Sequence, residues 1–203
     1  MKYLGSRTIE TERLILKAQT MKEQQFLWCL LMNPDVNRYY LTVPKKFSEK
    51  LKDWRKQEEY YKNDMEHSND LDVFRWSVFL KETGQCIGRV SCHPASDENS
   101  EVIDLSIRGV GWFIDPNYKG EGYGYEAAQA MMNYMFVECE IDEIKTGAAI
   151  QNPASWKIME KFGFTRLDNT KMVEYTYVDE PVEVYQYYLT RQKYFENINI
   201  KNK

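Results

Sequence analysis

The sequence predicts a mixed α/β (α+β) domain with a central, mostly antiparallel mixed sheet of about six or seven strands flanked by about four helices. Three observations predict it. Apolar spacing switches from a helical to a two-residue repeat near Val73, the strands that follow are joined by short turns, and two helical stretches interrupt the later strands. The 203 residues, 43% hydrophobic and 29% charged, suffice for one buried core, so 1–203 is read as a single domain.

Taken in order, Arg13 to Ala18 alternates enough to form a first strand. Thr20 is placed to cap a helix reaching about Met32, where Asn33-Pro34 stops it. Ser48 opens a second long helix with Leu51, Trp54, Glu58, Tyr61 and Met65 on one side. From Val73, Phe74, Trp76, Val78 and Leu80 point one way, and Glu82 to Gln85 turns the chain into a partner strand, Cys86 to His93. A turn over Ala95 to Ser100 leads to a long strand, Val102 to Ile114, where Gly109 and Gly111 mark a bulge or a close approach. A helix to about Glu138 and a strand from Ile144 to Ile150 follow. Asn152-Pro153 starts the next helix and Gly163 stops it. Phe164 to Leu167, Met172 to Val178 and Val182 to Thr190 complete the sheet, and the tail from Asn197 is expected to be disordered.

Composition excludes several classes. A net charge of -4 gives no basic field for nucleic acid. The longest apolar run, Phe26 to Met32, is too short to span a bilayer, and the start lacks an apolar signal region. Four cysteines without a CxxC pair and two histidines argue against a metal site and for reduced thiols, hence a cytoplasmic protein.

The chemistry concentrates in Gly111 to Gly124, GWFIDPNYKGEGYG: a strand, a turn at Asp115-Pro116-Asn117, and a glycine-rich loop opening a helix. Gly120, Gly122 and Gly124 leave backbone N–H groups uncovered at the positive end of the helix dipole, which suits a phosphate or pyrophosphate. A plain tight turn fits the same residues.

Three motifs in order decide between these readings. Lys119-Gly120-Glu121-Gly122-Tyr123-Gly124 resembles the Q/R-x-x-G-x-G/A loop of the GNAT superfamily of acetyl-coenzyme A-dependent N-acetyltransferases, with Lys where Arg or Gln is usual. Asn152-Pro153-Ala154-Ser155 and Glu160-Lys161-Phe162-Gly163-Phe164 resemble the N-x-x-S…E-K-x-G-F signature of the branch similar to ribosomal-protein alanine N-acetyltransferases. Thr11-Glu12-Arg13-Leu14 resembles that branch's T-x-R-L start. The resemblance covers roughly Thr11 to Leu189.

The resemblance implies acetyl-coenzyme A as co-substrate, with no metal. Its pyrophosphate would sit on the amides of Gly120, Glu121, Gly122, Tyr123 and Gly124, with Lys119 adding a charge. Its pantetheine arm would pair with Trp112, Phe113 and Ile114, which requires that strand to splay from Ile144 to Ile150, while Gly147 to Ala149 leave room for the thioester. Asn152 would bond a pantetheine amide or cap its own helix.

Transfer would proceed by direct attack of a primary amine on the thioester, with an oxyanion donor at the backbone N–H near Phe113 or Ile114. Many members place a tyrosine as acid at the position of Met159; here Ser155 is the candidate beside the thiolate. The related branch often has Glu at the position of Gly109, which leaves Asp104, Glu101 and His93, with Asp104 taken as the base. The acceptor, a protein N-terminus or a small amine, would meet Tyr39, Tyr40, Trp54, Trp76, Tyr175, Tyr177 and Tyr185. A monomer or homodimer fits, and a non-catalytic acyl-coenzyme A binding domain is the alternative. ATP binding is disfavoured because neither G-x-x-x-x-G-K-[ST] nor G-x-G-x-x-G is present.

Overall fold

The two-residue repeat from Phe74 onward does what it predicts: Phe74, Trp76, Val78 and Leu80 enter one core. They lie on β3 (Phe74–Leu80), flanked by β1 (Ile9–Glu10), β2 (Leu14–Ala18), β4 (Cys86–Pro94), β5 (Ile107–Ile114), β6 (Glu143–Ala149), β7 (Thr165–Val173) and β8 (Val182–Thr190). The computed structural model describes residues 1–40, 73–96, 104–175 and 177–201, together with Glu59 and Lys62. The helix expected from Ser48, with Trp54, and the carboxylate of Glu101 lie outside them.

Among the described residues eight strands rather than six or seven form one sheet, ordered β1-β2-β3-β4-β5-β6-β8-β7. Only β5 and β6 run parallel among its neighbours. The extra strand is β1, which the polar start concealed. β7 is continuous where two pieces were expected, with a register irregularity between Arg166 and Thr170.

The helices with bounds among the described residues are α1 (Met21–Leu31), α2 (Pro34–Asn37), α3 (Tyr123–Asn133), α4 (Pro153–Phe162) and α5 (Arg191–Lys201), with α3 continuing as a π turn over Tyr134–Glu138. The Thr20 N–H donates to the Glu23 carboxylate at 3.1 Å ahead of α1. The Asn33 side chain accepts from the Asp35 N–H at 3.0 Å, so Asn33-Pro34 ends one helix and starts the next. Gly163, at φ 82°, ends α4 as its C-cap.

Two expectations fail for tertiary reasons. The stretch 197–201 belongs to α5, because Tyr194 stacks on Phe136 (ring centroids 4.6 Å apart) and the Asn197 amide donates to the Phe162 carbonyl at 3.2 Å. β5 starts at Ile107, and Val102, where the strand was expected to begin, lies outside the described residues. Asp104 sits in the preceding turn, where its carbonyl accepts from the Ile107 N–H at 3.0 Å.

Two apolar layers cover the sheet. α3 and its π turn pack on one face, where Ala127, Met131, Met135 and Phe136 join the β3 residues. On the other, Leu27, Trp28 and Leu31 of α1 pack with Phe113 of β5. No helix among the described residues is long and apolar enough to cross a membrane.

Candidate active site

The parallel contact between β5 and β6 is brief: only Ile107 with Glu143 and Arg108 with Ile144 pair. Beyond them the strands diverge, while β6 pairs fully with β8 and β5 with β4. The β4–β5 register runs unbroken from Gly88 opposite Ile114 to Pro94 opposite Arg108, so no bulge produces the divergence. The glycines serve close approach instead. A Cβ on Gly109 would lie 2.5 Å from His93 Nε2, and one on Gly111 2.9 Å from the Tyr40 hydroxyl.

Ladder parity decides which backbone groups face the cleft. Asp115 N–H donates to Ile87 O at 2.7 Å and Ala95 N–H to Ile107 O at 2.9 Å, so odd-numbered residues of β5 bond to β4. The amides of Val110, Trp112 and Ile114 therefore point into the gap. Phe113 does not fit the expected oxyanion donor, because its N–H is turned to Arg89 on β4. Ile114, the other residue of that expectation, has its amide in the cleft. The narrow end of the gap is closed by the Thr146 hydroxyl, which donates to Val110 O at 3.4 Å.

At the wide end lies the glycine loop. Gly120 (φ 88°) and Gly122 (φ 81°) adopt left-handed conformations that disfavour a side chain. The first bond of α3 runs from Glu126 N–H to Gly122 O at 3.0 Å, which leaves the amides of Tyr123, Gly124 and Tyr125 without helical acceptors. The loop is held from outside. Arg13 Nη1 donates to Glu121 O at 2.9 Å, and its Nε and Nη2 both reach Glu126 Oε2 at 2.7 Å. The Arg13 N–H and the Thr11 hydroxyl donate to Glu126 Oε1 at 2.9 and 2.5 Å. Partial burial alone would raise the Glu126 carboxyl, but these bonds and the arginine charge outweigh it and hold the group below its usual range. The T-x-R-L segment is thus a brace for the loop, a role invisible in the sequence because the partners stand more than a hundred residues apart.

Between β5, β6, the loop and α4 lies a cavity of about 760 Å³. Trp112, Phe113, Ile114, Lys119, Gly120, Gly122, Tyr123, Gly124, Asn152 and Ser155 all line it. Glu121 is not part of the lining. Charged lining residues are Arg38, Lys119, Lys157 and Lys161 against Asp35, so a chain of net charge -4 presents a cationic cavity. The sequence reading missed Lys157 and Lys161, although their i, i+4 spacing on α4 was a usable signal. Asn152 makes no side-chain cap to α4, which leaves its amide to the cavity. Met159 is 2% exposed and carries no proton to give.

The expected bases fare less well. Asp104 is outside the cavity lining, in the turn before β5, with its carboxylate accepting from the Ser106 N–H at 2.7 Å. That bond, chiefly, lowers its pKa, which makes it a poor proton acceptor. His93 covers Gly109 and is also outside the lining. Loss of water around the ring, then Arg108, Arg75 and Arg89, push it down to about 4; as the residue as a whole remains exposed, the arginine charges are the firmer cause. It is neutral at pH 7 and weakly basic. Of the aromatic wall, Tyr39 and Tyr175 meet edge-on at 5.7 Å and the Tyr177 hydroxyl reaches Met32 O at 3.4 Å. Trp76 and Tyr185 pack instead in the α3 and α4 layer.

The geometry has relatives. Residues 13–165 match the model of the acetyltransferase (GNAT) domain. The chain is 29% identical over 154 residues to the uncharacterized protein YkkB of Bacillus subtilis, spanning 75% of this chain and 82% of that one. It is 22% identical over 191 residues to the uncharacterized N-acetyltransferase p20 of Bacillus licheniformis, spanning 92% and 98%. In fold it is similar to the spermidine N-acetyltransferase of Vibrio cholerae solved with CoA and spermine (TM-score 0.73, 20% identity, 91% and 99% covered). It is also similar to RimL, a ribosomal L7/L12 alpha-N-protein acetyltransferase solved with coenzyme A (TM-score 0.72, 15% identity, 92% and 99% covered). The matched domain spans most of the chain and contains the splayed strands, the braced glycine loop and the α4 motif, and the protein belongs to the GNAT family of acetyltransferases.

Proposed function

We propose that the protein transfers the acetyl group of acetyl-coenzyme A to a primary amine, either a protein N-terminus or a small amine, by direct attack on the thioester. The observation that carries this reading is the gap between β5 and β6, edged by the amides of Val110, Trp112 and Ile114 and opening onto the glycine loop. An amide-rich arm fits the strand edge, and a pyrophosphate fits the amides at the start of α3. Lys119, Lys157 and Lys161 add positive charge for the remaining phosphate.

In this reading the amine attacks the carbonyl carbon while Trp112 or Ile114 N–H stabilises the oxygen that becomes negative. Ser155 hydrogen-bonds the departing sulfur. Tyr39, Tyr175 and Tyr177 join α2 to the terminal hairpin and wall the acceptor side. Thiol release from acetyl-coenzyme A over a panel of peptides and small amines tests the reaction. Tight coenzyme A binding with no thiol release for any amine sinks it. Ser155→Ala is expected to lower kcat about tenfold, the worth of one hydrogen bond to a charged group, with coenzyme A affinity kept. Unchanged turnover in that variant removes Ser155 from the mechanism.

A further inference from the structure

Arg89 on β4 is 4% exposed, and no carboxylate among the described residues pairs with it. Its Nε finds no acceptor. Its guanidinium lies 5.1 Å from the ring of Phe113 and 5.9 Å from that of Tyr40, and Nη2 donates to the Tyr40 hydroxyl at 3.5 Å. Burying a guanidinium without a counter-charge costs folding free energy, and such a group marks a place where negative charge is to be received.

Tyr40 is the group it addresses. The tyrosine lines the cavity, packs edge-on against Phe113 (5.4 Å, 81°), and seats its hydroxyl over Gly111. Only glycine permits that seat, because a Cβ there would meet the hydroxyl at 2.9 Å. Gly111 stands between Val110 and Trp112, whose amides edge the narrow part of the cleft. The hydroxyl is thus fixed to the strand on which the reacting group would lie, with a cation behind its oxygen.

We propose that Tyr40 is the proton donor to the departing thiolate and that Arg89 is its positioning residue. The inference rests on the acetyl-transfer reading above. As the amine nitrogen bonds to the acetyl carbon, the C–S bond breaks and its electron pair stays on sulfur. The Tyr40 O–H proton passes to that sulfur, giving the free thiol. The phenolate left behind is held by Arg89 and regains a proton from solvent, which takes up the proton lost by the amine nitrogen. The 3.5 Å contact is long for a hydrogen bond and shortens as charge develops on the oxygen.

The test uses the full chain, acetyl-coenzyme A, and whichever amine of the panel the wild type acetylates. Tyr40→Phe is expected to lower kcat about a hundredfold, to leave the Kd for coenzyme A within twofold, and to abolish the alkaline limb of the kcat–pH profile. Arg89→Met is expected to lower kcat and move that limb to higher pH, with Arg89→Lys recovering part of both. Retained coenzyme A binding shows that the variants are folded. Tyr40→Phe turning over within twofold of wild type with the alkaline limb intact overturns the proposal and leaves acetyl transfer standing. A wild type that binds coenzyme A and acetylates nothing overturns both.

Discussion

Gly88→Ala is expected to destabilise the protein by about 3 kcal/mol, at the upper end for forcing atoms into a packed core. A Cβ at this position of β4 would lie 2.3 Å from Phe113 O, 2.8 Å from Ile114 Cδ1 and 3.0 Å from Ile114 Cα. Two of those atoms are backbone, so no rotamer change relieves the contact, and β4 must move away from β5. In a domain of this size that free energy corresponds to roughly 6 to 12 °C in Tm. The displaced residues also carry the edge of the cleft, so coenzyme A binding should weaken at temperatures where the fold survives. Gly84→Ala is the control. At φ 69° with nothing within 4 Å, it pays only the left-handed strain, about 1 kcal/mol. Equal melting temperatures for the two variants would show that the clash at Gly88 costs no more than the strain at Gly84, and that β4 yields.

Arg13→Ala is expected to raise the Kd for coenzyme A about tenfold, or ~1.4 kcal/mol, with little change in kcat at saturation. The guanidinium is the only group among the described contacts that ties Glu121 O to Glu126, so its removal lets the glycine loop sample other shapes. Arg13→Lys should recover part of the affinity, since one ammonium cannot span both partners. The pH dependence follows from Glu126. Its folded pKa is depressed, so the stabilisation it brings is present above the unfolded glutamate value and is lost as pH falls through the folded one. Coenzyme A affinity in the wild type should therefore fall with acidification in that range, and this component should be absent in Glu126→Gln. Affinity in Arg13→Ala equal to wild type would show that the glycines alone hold the loop.

What was legible in the sequence was local. Gly120, Gly122, Gly124 and the Asn152-Pro153 start declare themselves because a glycine at positive φ or a proline at a helix start is dictated by neighbours in the chain. What was illegible depends on pairing across space. Asp104 looked like a strand residue because its neighbours are apolar, yet its carbonyl closes a turn with Ile107. The amide of Phe113 belongs to β4 through a ladder parity that no motif records. Asn197 looked like disordered tail until its contact with Phe162, and Arg13 with Glu126 and Tyr40 with Arg89 are meetings of distant segments.

The strand order β6-β8-β7 has a consequence for the newborn chain. β8 follows β7 in the chain yet occupies an interior position, so β7 has no seat in the sheet until residues up to Thr190 have been synthesised. Pairing of β6 also waits for β8, because its bond with β5 covers only two residue pairs. The half-sheet β1 to β5 can assemble first because all its strands precede β6 in the chain, and the second half closes only once β8 is made. The cleft lies on the seam between the two, so it is completed only when β8 slides into place.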